Sequence, residues 1–303
     1  MKRKVCQVGP ATLMVSLPAK WTKKYNVKKG DEVTLNEKGN ILELWGGNSV
    51  HVGETKVEIK KSTDSNIRAI IGNIYKKGYD KIIFHYEDES ALREIQSVVD
   101  WLLGIEVVSR RKKECEVRNI AMQLESEFDD ILKNSFILLL ELSEEIFYSL
   151  KNKEFSQLEE IHHKAKVITK YTDFCKRILN KHRNNQESMI FEYLVVWNLE
   201  KISNQYRYIY QFCSKHSVQK VSKATLQFFE EVNKALLLFY QAFYEKNNKK
   251  IEEISKIKDQ LLFHTYYDLR KKLSPDEHII VSHLVNIMRK LWDISGPFYG
   301  LNY

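Results

Sequence analysis

The chain has 303 residues, 43% hydrophobic and 29% charged, with a formal net charge of +8. That length exceeds one typical domain, and the composition excludes a mostly disordered chain. The longest strictly apolar run in the helical part, Phe136 to Leu140, is far too short to span a bilayer, which argues against an integral membrane protein.

The positive charge is concentrated at one end. The first 30 residues carry eight basic side chains (Lys2, Arg3, Lys4, Lys20, Lys23, Lys24, Lys28 and Lys29) and no acidic one. The remaining residues hold 40 basic and 40 acidic side chains. A charge step of this kind points to a dedicated polyanion-binding module, against the alternative of a merely solvated terminus. Gln7, Gly9, Pro10, Thr12 and Ser16 interrupt its apolar part, so it does not read as a signal peptide. Four scattered cysteines without a CxxC pair fit free thiols in a reducing cytoplasm.

Residues 1 to about 48 read as short strands. Two β-prone segments around Val5–Val8 and Leu13–Val15 are broken at Gly9-Pro10. Pro18 opens a short helix, Ala19 to Tyr25. Glu32 to Leu35 and Ile41 to Trp45 form a hairpin turned at Lys38-Gly39-Asn40. So few short strands bury little apolar area, so an obligate dimer is expected.

Residues 54–118 alternate between strand and helix periods. Strands are expected at 56–59, 81–86, 105–108 and 115–118, with helices over 66–77 and 90–103 stopped by Gly78 and Gly104. From residue 105 to 295 there is no glycine and only one proline, Pro275, which predicts long helices joined by short polar turns. Six are expected: 120–151, 154–181, 187–214, 218–246, 249–273 and 275–295. Ser274-Pro275-Asp276-Glu277 is a capping box with proline at the first helical position. Leu158-Glu159-Glu160-Ile161 recurs as Ile251-Glu252-Glu253-Ile254, and Leu199 to Asn204 recurs as Leu291 to Gly296. An offset of about 92 residues suggests two copies of a three-helix unit.

Catalysis is not expected. There is no nucleophile elbow, no glycine-rich phosphate loop and no HxxxH spacing. The adjacent His162-His163 pair points about 100° apart on a helix. The aromatic stretch Tyr206, Tyr208, Tyr210 and Phe212, with Tyr193 and Trp197 before it, could stack bases, but helical spacing favours bundle core.

The run Lys2-Arg3-Lys4-Val5, Gly9-x-x-Thr12, Val15-Ser16-Leu17-Pro18-Ala19-Lys20-Trp21 and Lys28-Lys29-Gly30-Asp31-Glu32-Val33 resembles the AbrB/SpoVT/MazE family of DNA-binding domains. The resemblance implies a swapped-hairpin β-barrel dimer and double-stranded DNA as partner. It implies Lys2, Arg3, Lys4, Gln7, Thr12, Lys20, Lys23 and Lys24 as DNA-contacting residues. The whole chain resembles the archaeal PhoU-type phosphate uptake regulators. Leu199-Glu200-Lys201-Ile202-Ser203-Asn204 is similar to a family helix signature whose Glu and later Asp help bind metal. Here those places hold Glu200 and Asn204, and in the second copy Trp292 and Gly296, so no metal and no other cofactor is expected.

The expected fold class is therefore multidomain. An AbrB-like swapped-hairpin β-barrel (1–48) precedes a small α/β middle domain (54–118) and a C-terminal all-α pair of PhoU-like three-helix bundles (119–214 and 217–303). The expected function is a dimeric, cytoplasmic, DNA-binding transcriptional regulator of phosphate uptake whose helical domains sense or relay the signal. The alternative is a signalling adaptor docking on a phosphate transporter or kinase, with DNA binding secondary or absent. A toxin-neutralising antitoxin fits poorly, because the long helical part replaces the short disordered tail of such proteins.

Overall fold

The N-terminal strands form two antiparallel hairpins. In the computed structural model, which describes residues 2–24, 26–38, 41–46, 53–60, 63–181, 188–218 and 220–303, β1 (Val5–Gln7) pairs with β2 (Leu13–Val15). Val5 stands opposite Val15 and Gln7 opposite Leu13. α1 (Ala19–Lys24) follows Pro18. β3 (Val33–Lys38) then pairs with β4 (Ile41–Gly46) in register from Val33↔Gly46 to Lys38↔Ile41. Tyr25, Gly39 and Asn40 of the expected helix end and hairpin turn lie outside the described residues. The two hairpins are separate two-stranded sheets, so one chain does not close the expected barrel by itself. The chain divides into two units, residues 1–51 and 52–303.

The second unit begins with a four-stranded mixed sheet of order β5-β6-β8-β7. β5 (Glu54–Ile59) runs parallel to β6 (Lys81–Tyr86). β8 (Glu114–Asn119) lies antiparallel between β6 and the edge strand β7 (Ile105–Arg111). α2 (Asp64–Lys76) buries Ile67, Ile71 and Tyr75, and α3 (Glu89–Val99) buries Ala91, Ile95 and Val99. Both sets recur every four residues, which puts one apolar stripe on each helix. Those stripes meet Ile82, Phe84, Cys115 and Val117 in a core of their own. Thr63 and Asp88 cap the two helices; Gly78 (φ +92°) takes the left-handed conformation just beyond α2, and Gly104 (φ +80°) does so in the turn before β7.

The remainder is helical, with a separate and larger core. α4 (Phe128–Asn152), α5 (Leu158–Lys181) and α6 (Met189–His216) pack on one another. α7 (Lys223–Glu245), α8 (Asn248–Asp259) and α10 (Pro275–Asp293) form a second three-helix unit. α6 and α10 join the two units, as do α4 and α7. The repeat is visible in the turns. Lys153 ends α4 and Lys246 ends α7, 93 positions apart. Both adopt left-handed φ (62° and 52°), with their N–H groups bonded back to Ser149 and Ala242. Leu199, Ile202 and Ser203 are buried, and so are their counterparts Leu291, Ile294 and Ser295.

Several helix boundaries differ from expectation: α3 ends at Val99 rather than 103, α5 starts at Leu158 rather than 154, and α7 starts at Lys223 rather than 218. Residues Met122–Glu127 form a 3-10 turn, so α4 starts at Phe128 rather than at 120. The expected helix 249–273 is interrupted. After α8 comes a π-helical segment, Gln260–Thr265, then the short α9 (Tyr266–Leu269). A further helix, α11 (Ser295–Asn302), runs through Gly296 and Pro297, which sit in its first turn where proline costs no hydrogen bond.

Candidate functional site

The N-terminal candidates fall into two groups on their hairpin. Lys2, Arg3 and Lys4 lie on the exposed tail leading into β1. The antiparallel register brings that tail to the same end of the hairpin as Ser16–Pro18, from which α1 carries exposed Lys20 and Lys23. Gln7 and Thr12 are exposed at the opposite, turn end. There the Val8 N–H donates to the Thr12 carbonyl at 2.8 Å, and Gln7 Nε2 donates to the Pro10 carbonyl at 3.5 Å. Lys24 belongs to α1, but its side chain lies outside the described residues.

The same hairpins leave apolar side chains open. Val5 is 62% exposed, Leu13 69%, Leu35 55% and Leu42 61%. Strands alternate their side chains between two faces, and a stable sheet normally covers one of them. These strands cover neither β1 nor β2, every residue of which is exposed.

The positions flagged in the helical part are already committed. Lys176 on α5 is fully buried, and its ammonium pairs with Asp173 at 2.8 Å and with Glu200 of α6. Glu200 also accepts from Lys201 at 2.8 Å, while Asn204 accepts from Arg207 at 3.3 Å. Burial opposes the charge on Lys176, but the two carboxylates more than offset it and raise its pKa. Burial likewise opposes ionisation of Glu200, and Lys176 reverses that, holding its carboxyl below the ordinary value. A metal ion does not fit beside Glu200, because the Lys176 ammonium already stands against its carboxylate. In the second unit Trp292 presents an indole, with Lys258 Nζ 4.2 Å from its ring centre, and Gly296 has no side chain.

Next to Lys176, the end of α5 grips the α/β sheet domain. Arg177, 1% exposed, donates to the carbonyls of Tyr75 (2.9 Å) and Tyr79 (2.8 Å), and its guanidinium lies over the Tyr75 ring. Asn180 donates to the Lys76 carbonyl at 2.8 Å, and Lys181 pairs with Asp80 at 2.8 Å. Cations and amide donors from α5 thus satisfy the carbonyl end of α2, where the helix dipole favours positive charge. A Cβ on Gly78 would come within 3.2 Å of Lys181 Cβ, so the approach leaves no room for a larger residue. The sequence gives no sign of this junction, since Lys and Arg are usually exposed. The run Asp173, Lys176, Arg177 and Lys181 reads in the sequence as a solvated helix face.

The other candidates resolve into structure. Tyr206 and Tyr210 are buried. Tyr206 donates to Asn233 at 2.8 Å, and Asn233 donates to Glu144 at 3.2 Å, linking the two helical units. Tyr208 is partly exposed beneath Arg207. His163 packs edge-on against Trp101, and burial lowers the pKa of His162. Cys175 and Cys213 are buried, which pushes each thiol up to about 12, far from a reactive thiolate. Among the described residues no cluster of three or more His, Cys, Asp or Glu side chains could hold a metal ion, and no helix is long and apolar enough to cross a membrane.

No family model matches the chain, and no curated protein does. Among solved structures it is similar to the crystal structure of the phosphate transport system regulatory protein PhoU from Streptococcus pneumoniae. The identity is 15% and the TM-score 0.44, over 59% of this chain and 95% of that one.

Proposed function

We propose that the chain is a dimeric DNA-binding regulator whose N-terminal hairpins carry the nucleic-acid surface and whose helical units relay a signal. The observation that carries this reading is the coincidence, on one small module, of exposed cations with uncovered strand faces. Pairing two such modules would bury Val5, Leu13, Leu35 and Leu42 while bringing sixteen basic side chains together. A surface of that kind suits a duplex backbone, which is read mainly through phosphate contacts. The link to phosphate uptake rests on the resemblance of the Leu199–Asn204 phrase and of the domain order to PhoU-type regulators.

The test uses the full chain. Light scattering should give twice the mass of one chain. Replacing Lys2, Arg3 and Lys4 by Ala, or Lys20 and Lys23 by Ala, should weaken duplex binding by similar factors for unrelated sequences. A monomer, or variants that bind as well as the parent, would contradict the reading. The adaptor role, in which the helical units dock on a transporter or kinase, would then remain.

A further inference from the structure

We infer that the π-helical segment and its flanks form a docking surface for an anionic membrane. The surface lies wholly within residues 52–303 and does not rest on the reading of the N-terminal module. Three aromatic rings stand out of the second helical unit: Phe263 is 67% exposed, Tyr267 54% and Trp292 36%. Each carries a cation. Lys258 Nζ lies 4.2 Å from the Trp292 ring centre and 6.0 Å from that of Phe263, while Arg270 and Lys271 lie 4.4 and 4.9 Å from Tyr267. The six side chains make two cation–ring clusters, Lys258 with Trp292 and Phe263, and Tyr267 with Arg270 and Lys271, whose exposed rings Phe263 and Tyr267 stand four residues apart.

The fold shows why this patch is free. In the first unit the matching stretch of α5, Thr172 to Leu179, is wholly buried, because α2 lies on the helix that α4 and α6 already pack against. Its counterpart 93 positions on, Thr265 to Lys272, buries only Leu269. The π turn holds one extra residue per turn, which re-aims side chains, and such segments concentrate at functional sites. Here it leaves Phe263 outward while Leu261 stays in the core.

Charge favours a lipid surface over an apolar partner. Residues 256–272 hold five basic side chains against Asp259 and Asp268, which pair with Lys258 at 2.9 Å and Lys271 at 3.9 Å. Aromatic rings flanked by Lys and Arg suit the boundary between acyl chains and headgroups. The rings enter the interface, and the long cationic stems keep their charges among the phosphates.

Co-sedimentation of the full chain with vesicles separates the outcomes. The chain should pellet with phosphatidylcholine vesicles containing about one-third phosphatidylglycerol, and should not pellet with phosphatidylcholine alone. Phe263→Ser with Tyr267→Ser should weaken that binding by at least about tenfold. Arg270→Glu with Lys271→Glu should do the same, as each removed cation contributes severalfold. Replacing Lys2, Arg3 and Lys4 by Ala should leave the loss caused by Phe263→Ser with Tyr267→Ser in place, because those rings lie outside the N-terminal module. All of these side chains are exposed, and an unchanged circular dichroism spectrum confirms the fold. The proposal is overturned if the chain ignores anionic vesicles, if the Phe263/Tyr267 variant binds like the parent, or if that variant instead loses a protein partner.

Discussion

Arg177 Nη1 donates to the carbonyl of Tyr75 at 2.9 Å, across 102 positions of sequence. That contact is one of several that fasten the sheet domain to the first helical unit, with Asn180 on the Lys76 carbonyl and Lys181 on Asp80 beside it. Arg177→Met should remove both carbonyl bonds of a buried guanidinium and leave the carbonyl end of α2 poorly satisfied, at a cost of about 3–5 kcal/mol. Arg177→Lys keeps the charge but loses the planar fork, and should cost about 1–3 kcal/mol. Chemical denaturation of the full chain measures both. A Lys variant as stable as the parent would show that charge alone holds the joint.

Lys176 sits between Asp173 and Glu200, so Lys176→Met leaves two buried carboxylates without their shared cation. The variant should lose about 3–5 kcal/mol near pH 7. Its pH dependence should also change. In the parent, Glu200 has a lowered pKa, so its contribution is present above the unfolded carboxyl value and fades as pH falls. In the variant burial acts on Glu200 without Lys176 to oppose it, so its carboxyl binds a proton more readily than in the parent and stability should fall less, or rise, on moving from pH ~7 toward ~5. Adding Glu200→Gln should recover part of the loss. Melting curves across that range decide the matter.

The glycine-free helical part ends three helices on left-handed residues that are not glycine: Lys153, Ser217 and Lys246. Each conformation costs an L-residue about 1 kcal/mol or more. Lys153→Gly, Ser217→Gly and Lys246→Gly should each stabilise the chain by roughly 0.5–1 kcal/mol. A lower melting temperature in any of them would show that the native side chain makes contacts that outweigh the strain.

Glu277 serves two helices. It completes the capping box of α10 through Ser274 (3.1 Å) and reaches back to the Ser222 N–H (2.7 Å) and Thr225 hydroxyl (2.8 Å) at the start of α7. Burial opposes its charge, but those bonds win and hold its pKa at about 2. A depressed carboxyl pKa stabilises above the unfolded value of about 4.3 and fades as pH falls toward 2. Glu277→Gln should therefore cost about 1–3 kcal/mol at neutral pH, with the gap to the parent closing between pH ~4 and ~2. A gap independent of pH would point to shape rather than charge.

Much of the fold was legible because local signals agreed with tertiary ones. The strand Lys81–Tyr86 matches its expected bounds, since an apolar β-prone run lies between Gly78 and an acidic turn. The Ser274 capping box and the stop at Gly78 were written in residue type and spacing, whereas α3 ends at Val99, well before Gly104. What escaped was set at long range. Gln260–Thr265 contains no glycine or proline, so nothing local marks a π turn. Gly296 and Pro297 read as breakers although a helix's first turn tolerates both. Lys176 and Arg177 look like surface cations until α2 and α6 close over them. The N-terminal candidates were chosen by residue type and by resemblance. Their division between the two ends of the hairpin depends on strand register, which spacing alone leaves open.

The most direct test is the affinity of the full chain for duplex DNA as a function of salt. Two N-terminal modules making roughly 6–10 phosphate contacts predict a log–log slope of about −5 to −9, with little dependence on base sequence at the steepest part. Affinity that stays flat as salt rises, or no measurable binding at low salt, would contradict the account.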